Sequence, residues 1–226
     1  MDSPIMDEVK AFGTGKEPGE QQSLEWLMER VGFCTASRFA DVISVTAKGK
    51  PSASRQTYLL ELVTERLLNR PGDYYFSNAM QWGLEQEAAA RMAYEAHTGA
   101  MVAVPGFKRH PTIEWCGASS DGLIDEDGTI EIKCPANSRN GIMTLLEGMP
   151  SEHMAQVQGG LWVHNRAYCD FINYDPRMPA HLQLYIQRIP RDETYIALME
   201  VSIVSFLAEV AALHAKLMNA AERTAI

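Results

Sequence analysis

The sequence predicts a single α/β domain, with α+β as the nearest variant, in which helices flank a central mixed β-sheet. Three observations lead there. Helical patterns open and close the chain, and strand-like runs concentrate between Met101 and Ile189 with two helical segments among them. At 226 residues and 46% hydrophobic content, the chain can bury one sizeable core. The run 129–134 alternates, so Ile130 and Ile132 share one face while Glu131 and Lys133 share the other.

Residues 1–21 carry glycine, proline and charge without a clear period, and are expected to form an N-terminal arm ahead of one domain over 22–226. Ser23 is placed to cap a short helix through about Val31, ended by Gly32. Thr35 is placed to cap a second through about Val45, and 46–54 reads as a loop. Ser54 then starts a helix to about Asn69, with Tyr58, Leu59, Leu62, Val63 and Leu67 as its apolar stripe. Arg70-Pro71-Gly72-Asp73 stops it. Ser77 or Asn78 opens a long helix to about His97, closed by Gly99. Strands are expected near 101–104, 117–124 and 129–134. Residues 138–147 read as a helix, broken by Gly148-Met149-Pro150, and Ser151 caps another to about Val163. Runs 167–174 and 182–189 read as strands, and a last helix covers about 192–222.

The most informative stretch is Ser119-Ser120-Asp121-Gly122-Leu123-Ile124-Asp125-Glu126-Asp127-Gly128-Thr129-Ile130-Glu131-Ile132-Lys133-Cys134-Pro135. Two strand-like runs flank a turn that brings two carboxylates and an ammonium together. Such a set can hold Mg²⁺ and position an attacking water. Loop length decides the face on which Asp121 falls. A two-residue Asp127-Gly128 loop pairs Asp121 with Cys134 and turns it away from Glu131 and Lys133. A three-residue loop, Glu126-Asp127-Gly128 with Gly128 left-handed, pairs Leu123 with Glu131 and Asp121 with Lys133. Asp121 and Glu131 are then diagonal neighbours on one face, about 7–8 Å apart at the backbone. Ile124, Ile130 and Ile132 share the opposite face. Residue chemistry alone gives a candidate site for cutting phosphodiesters, with a solvated Glu-x-Lys strand face as the plain alternative.

The formal net charge of −9 disfavours broad nucleic-acid binding. Charge is uneven, however. From Arg30 to Arg70 lie seven basic residues (Arg30, Arg38, Lys48, Lys50, Arg55, Arg66, Arg70) and three acidic ones (Asp41, Glu61, Glu65), a local excess of four. A small basic surface facing DNA and ordinary helix-surface charge both fit that count. Cys34, Cys116, Cys134 and Cys169 form no Cys-x-x-Cys pair, so zinc, iron–sulfur and disulfide frameworks are not expected and the compartment is expected to be reducing. No run reads as long and apolar enough to span a membrane, and the N-terminus lacks a signal-peptide pattern.

Other residues frame the carboxylates. Glu87 follows Gly83 by four on the long helix, as either an inward metal ligand or a surface glutamate. Gln156 lies among apolar residues and suits a substrate phosphate or a buried backbone group. Arg30 and Ser37 flank a short turn, and Arg139 follows the metal strand. An arginine with a hydroxyl makes a phosphate clamp, whereas a lone arginine more often makes a surface ion pair.

Six blocks resemble, in order and spacing, the phage lambda exonuclease family of alkaline, recombination-linked nucleases. They are Arg30-Val31-Gly32-Phe33-Cys34-Thr35-Ala36-Ser37; Trp82-Gly83 with Glu87; Ser119-Ser120-Asp121-Gly122-Leu123; Glu131-Ile132-Lys133-Cys134-Pro135; Met154-Ala155-Gln156-Val157-Gln158; and Asn173-Tyr174-Asp175-Pro176-Arg177-Met178. The resemblance covers about residues 22–195 and implies the PD-(D/E)xK restriction-endonuclease-like core. It further implies a processive 5′→3′ exonuclease on double-stranded DNA ends, releasing 5′-mononucleotides and leaving a 3′ single strand for recombination. Such enzymes form ring-shaped homotrimers and work with a single-strand annealing protein, here in the cytoplasm of a bacterial host. By the same resemblance, Glu87, Asp121, Glu131 and the Ile132 carbonyl bind two Mg²⁺ ions, with Mn²⁺ as the alternative, and Lys133 orients the attacking water. Arg30, Ser37, Ser119 and Gln156 map onto a 5′-phosphate pocket, Arg139 onto a DNA-contacting arginine, and Met80 onto an apolar wedge at the end base pair. There are three departures. Ser120 stands where the superfamily pattern has proline. A DNA-contacting loop arginine falls near Ala47, with Lys48 or Lys50 as its replacement. His153 stands where the family shows an aromatic residue. A structure-specific endonuclease of the same fold and a non-catalytic DNA-end-binding subunit are the alternatives, and the intact Asp121, Glu131 and Lys133 argue against the second.

Overall fold

The computed structural model describes residues 23–72 and 77–220, so the expected arm at 1–21 lies outside the described residues. Ser23 caps the first described helix, its hydroxyl accepting the Trp26 N–H at 3.1 Å, and α1 runs Leu24–Glu29. Gly32, at φ 74°, turns the chain into β1, Cys34–Thr35. Thr35 makes no side-chain cap. A 3₁₀ turn over Ala36–Arg38 leads instead into α2, Phe39–Ile43. Helix α3, Ala53–Leu68, is capped by Ser52 rather than Ser54 and ends on Asn69 in the left-handed region. Of its expected stripe, Tyr58, Leu59, Leu62 and Val63 are buried and Leu67 is exposed. Helix α4, Asn78–Thr98, is capped by Ser77 and closed by Gly99 at φ 75°.

The strands are β2 (Val102–Ala103), β3 (Lys108–Arg109), β4 (Cys116–Ala118), β5 (Gly122–Ile124), β6 (Gly128–Lys133), β7 (Tyr168–Tyr174) and β8 (Leu184–Pro190). Between β6 and β7 come α5 (Ser138–Glu147) and α6 (Met154–His164), and α7 (Glu193–Ala220) closes the described chain. Ser151 lies in a 3₁₀ turn, Ser151–His153, ahead of α6.

Five strands form a sheet in the order β2-β5-β6-β7-β8, and three form a smaller one, β1-β4-β3. In the larger sheet β6 and β7 are parallel, so the chain must cross over between them, which α5 and α6 accomplish. The single strand expected over 117–124 is in fact two, one in each sheet. Alternation of residue types does not reveal which sheet a strand joins. Ser119-Ser120-Asp121 is the crossing between the two sheets.

Each face of the larger sheet is covered by a different helix. Ile124, Ile130, Ile132 and Ile172 pack with Ala90 and Tyr94 of α4. Cys169, Phe171 and Ile189 pack with Val157 and Leu161 of α6 on the other side. The Tyr94 hydroxyl donates to Asp170 Oδ2 at 2.8 Å, and Arg188 donates two bonds to the same carboxylate, each at 2.8 Å. That junction, with Tyr94 and Asp170 buried under an exposed Arg188, fixes α4, and with it Glu87, against the sheet.

Helix α7 corrects one expectation, since by length and composition it is able to cross a bilayer. Its Ile196, Met199, Ile203, Phe206, Leu207 and Val210 are buried in the cluster shared with α2 and α3, so that side of the helix is core. Leu198, Val201 and Val204 stand exposed on the outside.

Gly117 tests how tightly the two strands beside the crossing are packed. A methyl there would lie 2.7 Å from the Lys108 carbonyl oxygen and against the Phe107 ring. Gly117→Ala is expected to cost about 1–3 kcal/mol. Thermal unfolding should show a loss of about 2–4 °C per kcal/mol. An unchanged Tm would contradict the packing.

Candidate active site

In the β5–β6 hairpin Gly122 pairs with Ile130, Leu123 with Thr129 and Ile124 with Gly128. The loop is three residues long as expected, but it is Asp125-Glu126-Asp127. Its left-handed residue is Asp125, at φ 46°, and not Gly128. Each partner has moved by two residues along β6, which preserves the face. Continuing the register sets Asp121 directly opposite Glu131 rather than diagonal to it, bringing their Cβ atoms to about 4.5–5.5 Å. Gly128 is required for a different reason: a Cβ there would stand 2.6 Å from Tyr168 Cζ.

Glu131 is only 5% exposed. Lys133 Nζ donates to Glu131 Oε1 at 2.7 Å and to Gln156 Oε1 at 3.1 Å. Asp121 Oδ2 accepts the Ile132 N–H at 2.7 Å. Glu87 Oε1 accepts from Arg91 Nη2 at 2.7 Å, one turn along α4. A cleft of about 400 Å³ opens over these groups. It brings together Met80, Glu87, Asp121, Glu131, Ile132, Lys133 and Gln156 from the residues that sequence pointed to. Ala79, Gly83 and Cys134 also line it and were not singled out as site residues.

The electrostatics are those of crowded acids. Burial first, then Glu131, then Glu87 push the Asp121 carboxyl well above its ordinary range, with Lys133 and the Ile132 N–H pulling the other way. Burial disfavours charge on Lys133, but Glu131 and Asp121 outweigh it, and the ammonium holds its proton more tightly than usual. A divalent ion fits this donor set, since carboxylate and carbonyl oxygens are the ligands that hard cations take. Among the described residues, no three acidic, imidazole or thiol groups already converge as a ready ligand set. Lys133 sits on Glu131 and Arg91 on Glu87, so the protein's own cations partly neutralise the acids.

The other expected residues are distributed around the cleft or away from it. Arg30 Nη1 donates to Ser119 Oγ at 3.0 Å, joining two residues of the expected phosphate pocket, while the guanidinium lies 4.0 Å over Trp26. Ser37 Oγ is 3.2 Å from Thr35 Oγ1. Gly159 lets Phe39 and Ala36 press onto α6, which carries the 3₁₀ turn holding Ser37 against that helix. Gly160, one turn after Gln156, faces Ser120 of the crossing. Neither Arg30, Ser37 nor Ser119 lines the cleft itself. Arg139 at the start of α5, and Lys48 and Lys50 in the loop before α3, are exposed and do not line it either. His153 stacks on Phe171 at 5.6 Å between ring centroids. Burial, then Lys133, lower its basicity.

Two supports were not assigned from sequence. Arg177 donates to Asp175 and to the carbonyls of Pro135 and Ala136, and stacks 4.4 Å over Trp82. It thereby ties the segment after Lys133 to α4, and its guanidinium pulls the Asp175 carboxyl down to about 2. Arg91 is the other, and its four-residue spacing from Glu87 was the available signal.

A family model described as a YqaJ-like viral recombinase domain matches residues 25–167. The alkaline exonuclease LHK-Exo from Laribacter hongkongensis is 40% identical, over 89% of this chain and 99% of that one, with a TM-score of 0.82. Its complex with dAMP gives 0.83. A phage related exonuclease from Haemophilus somnus 129PT shares the fold at 14% identity, over 82% of this chain and 96% of that one, with a TM-score of 0.64. The Escherichia coli (strain K12) protein ExoD is 38% identical over 61 residues, 27% of this chain and 69% of that protein. The PD-(D/E)xK-type core expected from sequence is the fold that these likenesses share.

Asp121 gives a pH prediction. Its carboxyl is raised in the fold, so between the unfolded and folded values the native state binds more protons and stability falls as pH rises. Asp121→Asn removes that cost. Without metal at pH 8 the variant should melt above wild type, and the gain should shrink as pH falls into the acid range. Added divalent metal should raise the Tm of wild type and leave the variant nearly unmoved. A variant that melts at or below wild type at pH 8 would count against the crowding of these acids.

Proposed function

The chain belongs to the YqaJ-like viral recombinase family, and from that premise we propose that it is a Mg²⁺-dependent 5′→3′ exonuclease on double-stranded DNA ends. It releases 5′-mononucleotides processively and leaves a 3′ single strand for recombination by annealing. The observation that carries this reading is the placement of Lys133 between Glu131 and Gln156, with Asp121 opposite Glu131 at the floor of one cleft.

Divalent metal, two Mg²⁺ ions in this reading with Mn²⁺ as the alternative, supplies charge neutralisation at the phosphate and a water acidified for attack. Asp121, Glu131, Glu87 and the Ile132 carbonyl would hold it. Lys133 remains an ammonium at alkaline pH because Glu131 and Asp121 favour its charge. It can therefore donate to the attacking water or to a phosphate oxygen. Gln156 holds that ammonium in place and offers its amide N–H to the substrate. Arg30 and Ser119, together with Ser37, receive the terminal 5′ phosphate in this reading. Met80, half-exposed at the cleft, is available to wedge against the end base pair. Arg139, Lys48 and Lys50 meet backbone phosphates further along the duplex. A homotrimeric ring around DNA, a single-strand annealing partner and the cytoplasm of a bacterial host complete the proposal.

The test is digestion of end-labelled linear duplex, with and without Mg²⁺. Ends bearing 5′ phosphate should be digested roughly tenfold faster than 5′ hydroxyl ends, the scale of one charge-assisted hydrogen bond. Arg30→Ala should shrink that preference. Lys133→Ala should lower the rate by about 10²-fold or more. Rapid cutting of a covalently closed circle would point to an endonuclease instead, and equal rates on both ends would remove the phosphate pocket.

A further inference from the structure

Gly83 is a glycine without a structural reason among the described residues. It lies inside α4, close to the alanine run Ala88-Ala89-Ala90, where glycine is the least favourable residue except proline. Glycine is needed where φ is positive or where chain packs close. Gly83 does not have a positive φ. A Cβ added to it meets nothing within 4 Å. The remaining reason is close approach by something outside the described residues. Met80, Gly83 and Glu87 are spaced i, i+3 and i+7, which puts them on one stripe of α4, and all three line the cleft. About 10 Å of helix separates Met80 from Glu87, with Gly83 as the gap between their side chains.

We propose that Gly83 is a substrate-contact position. The sugar–phosphate of the strand being cut lies directly on the α4 backbone there, between the Met80 side chain and the Glu87 carboxylate. The proposal rests on the exonuclease reading and adds to it the surface along which the strand reaches the acids. Any side chain at position 83 would lift that strand away from them.

The experiment uses the full chain with Gly83→Ala and Gly83→Leu. Three quantities are measured: Tm, affinity for a 5′-phosphorylated blunt duplex with Ca²⁺ replacing Mg²⁺, and steady-state digestion with Mg²⁺. Gly83→Ala should melt about 2–4 °C higher, because alanine favours the helix, yet bind the duplex end at least threefold more weakly. Gly83→Leu should bind at least thirtyfold more weakly, with KM rising more than kcat falls. Gly106→Ala, at an equally open glycine between β2 and β3, should leave affinity and rate unchanged. Leucine-variant affinity and KM within twofold of wild type would overturn the proposal. If that variant does not fold, unaltered affinity in Gly83→Ala overturns it. A wild type that digests no DNA end would instead defeat the exonuclease reading itself.

Discussion

Two carboxylates facing each other across a strand pair are the constraint on which this structure is organised. Asp121 and Glu131 repel, and burial deepens the conflict, as the raised Asp121 carboxyl records. Left alone, the hairpin would relax by turning one acid to solvent. Two contacts oppose that, and a third holds the neighbouring acid. The Ile132 N–H holds Asp121, the Lys133 ammonium holds Glu131, and Arg91 holds Glu87 nearby. Each is a charge-assisted hydrogen bond, strong enough to keep an acid in place and still open to replacement by a ligand of higher charge. Strain concentrated where chemistry is done must be balanced elsewhere in the fold.

The balance comes from packing that leaves the hairpin little freedom. Behind it, Ile124, Ile130, Ile132 and Ile172 bury against Ala90 and Tyr94, and Tyr94 is pinned through Asp170 to Arg188. In front, α6 sets Gly160 against Ser120 of the crossing, while Gly159 accepts Phe39 and Ala36 elsewhere on that helix. At the end of β6, Arg177 locks the carbonyls after Lys133 and stacks on Trp82 of α4. A shift of α4 would thus disturb the core, the Arg177 stack and Glu87 together. Core density rather than loop geometry positions the acids, because packed interiors resist small displacements.

Much of this was legible in the sequence, for reasons that also show where legibility ends. A strand repeats every two residues, so the hairpin register could slip by two and still leave Asp121 on the face of Glu131. Which loop residue turns left-handed was not legible. Aspartate enters that region more readily than most residues, and Asp125 takes it ahead of Gly128. Gly128 owes its identity to the ring of Tyr168, a contact set by the parallel pairing of β6 with β7 that no local pattern encodes. The break at Ser119-Ser120-Asp121 was hidden because two short strands in line look like one. Arg30 and Ser119 meet across 89 positions, and the resemblance to a family, rather than any spacing, put them in one pocket.

Charge sets the manner in which such a chain can hold DNA. The net charge is −9, and Arg38, Arg55, Arg91, Arg177, Arg188 and Arg191 are each committed to an ion pair within the chain. Such a chain offers no broad attractive field, and in the proposed function grip comes from a few points such as Arg30, Lys133 and the exposed Lys48, Lys50 and Arg139. Affinity from counterion release scales with the number of phosphates neutralised. Few contacts give one subunit a modest hold on duplex interior. A terminal 5′ phosphate carries more charge than an internal one, so the proposed phosphate site around Arg30 and Ser119 would favour ends over interior. In the proposed ring, three such weak grips act on one duplex at high effective concentration. Retention then comes from the assembly, and each cleft is left free to release its product.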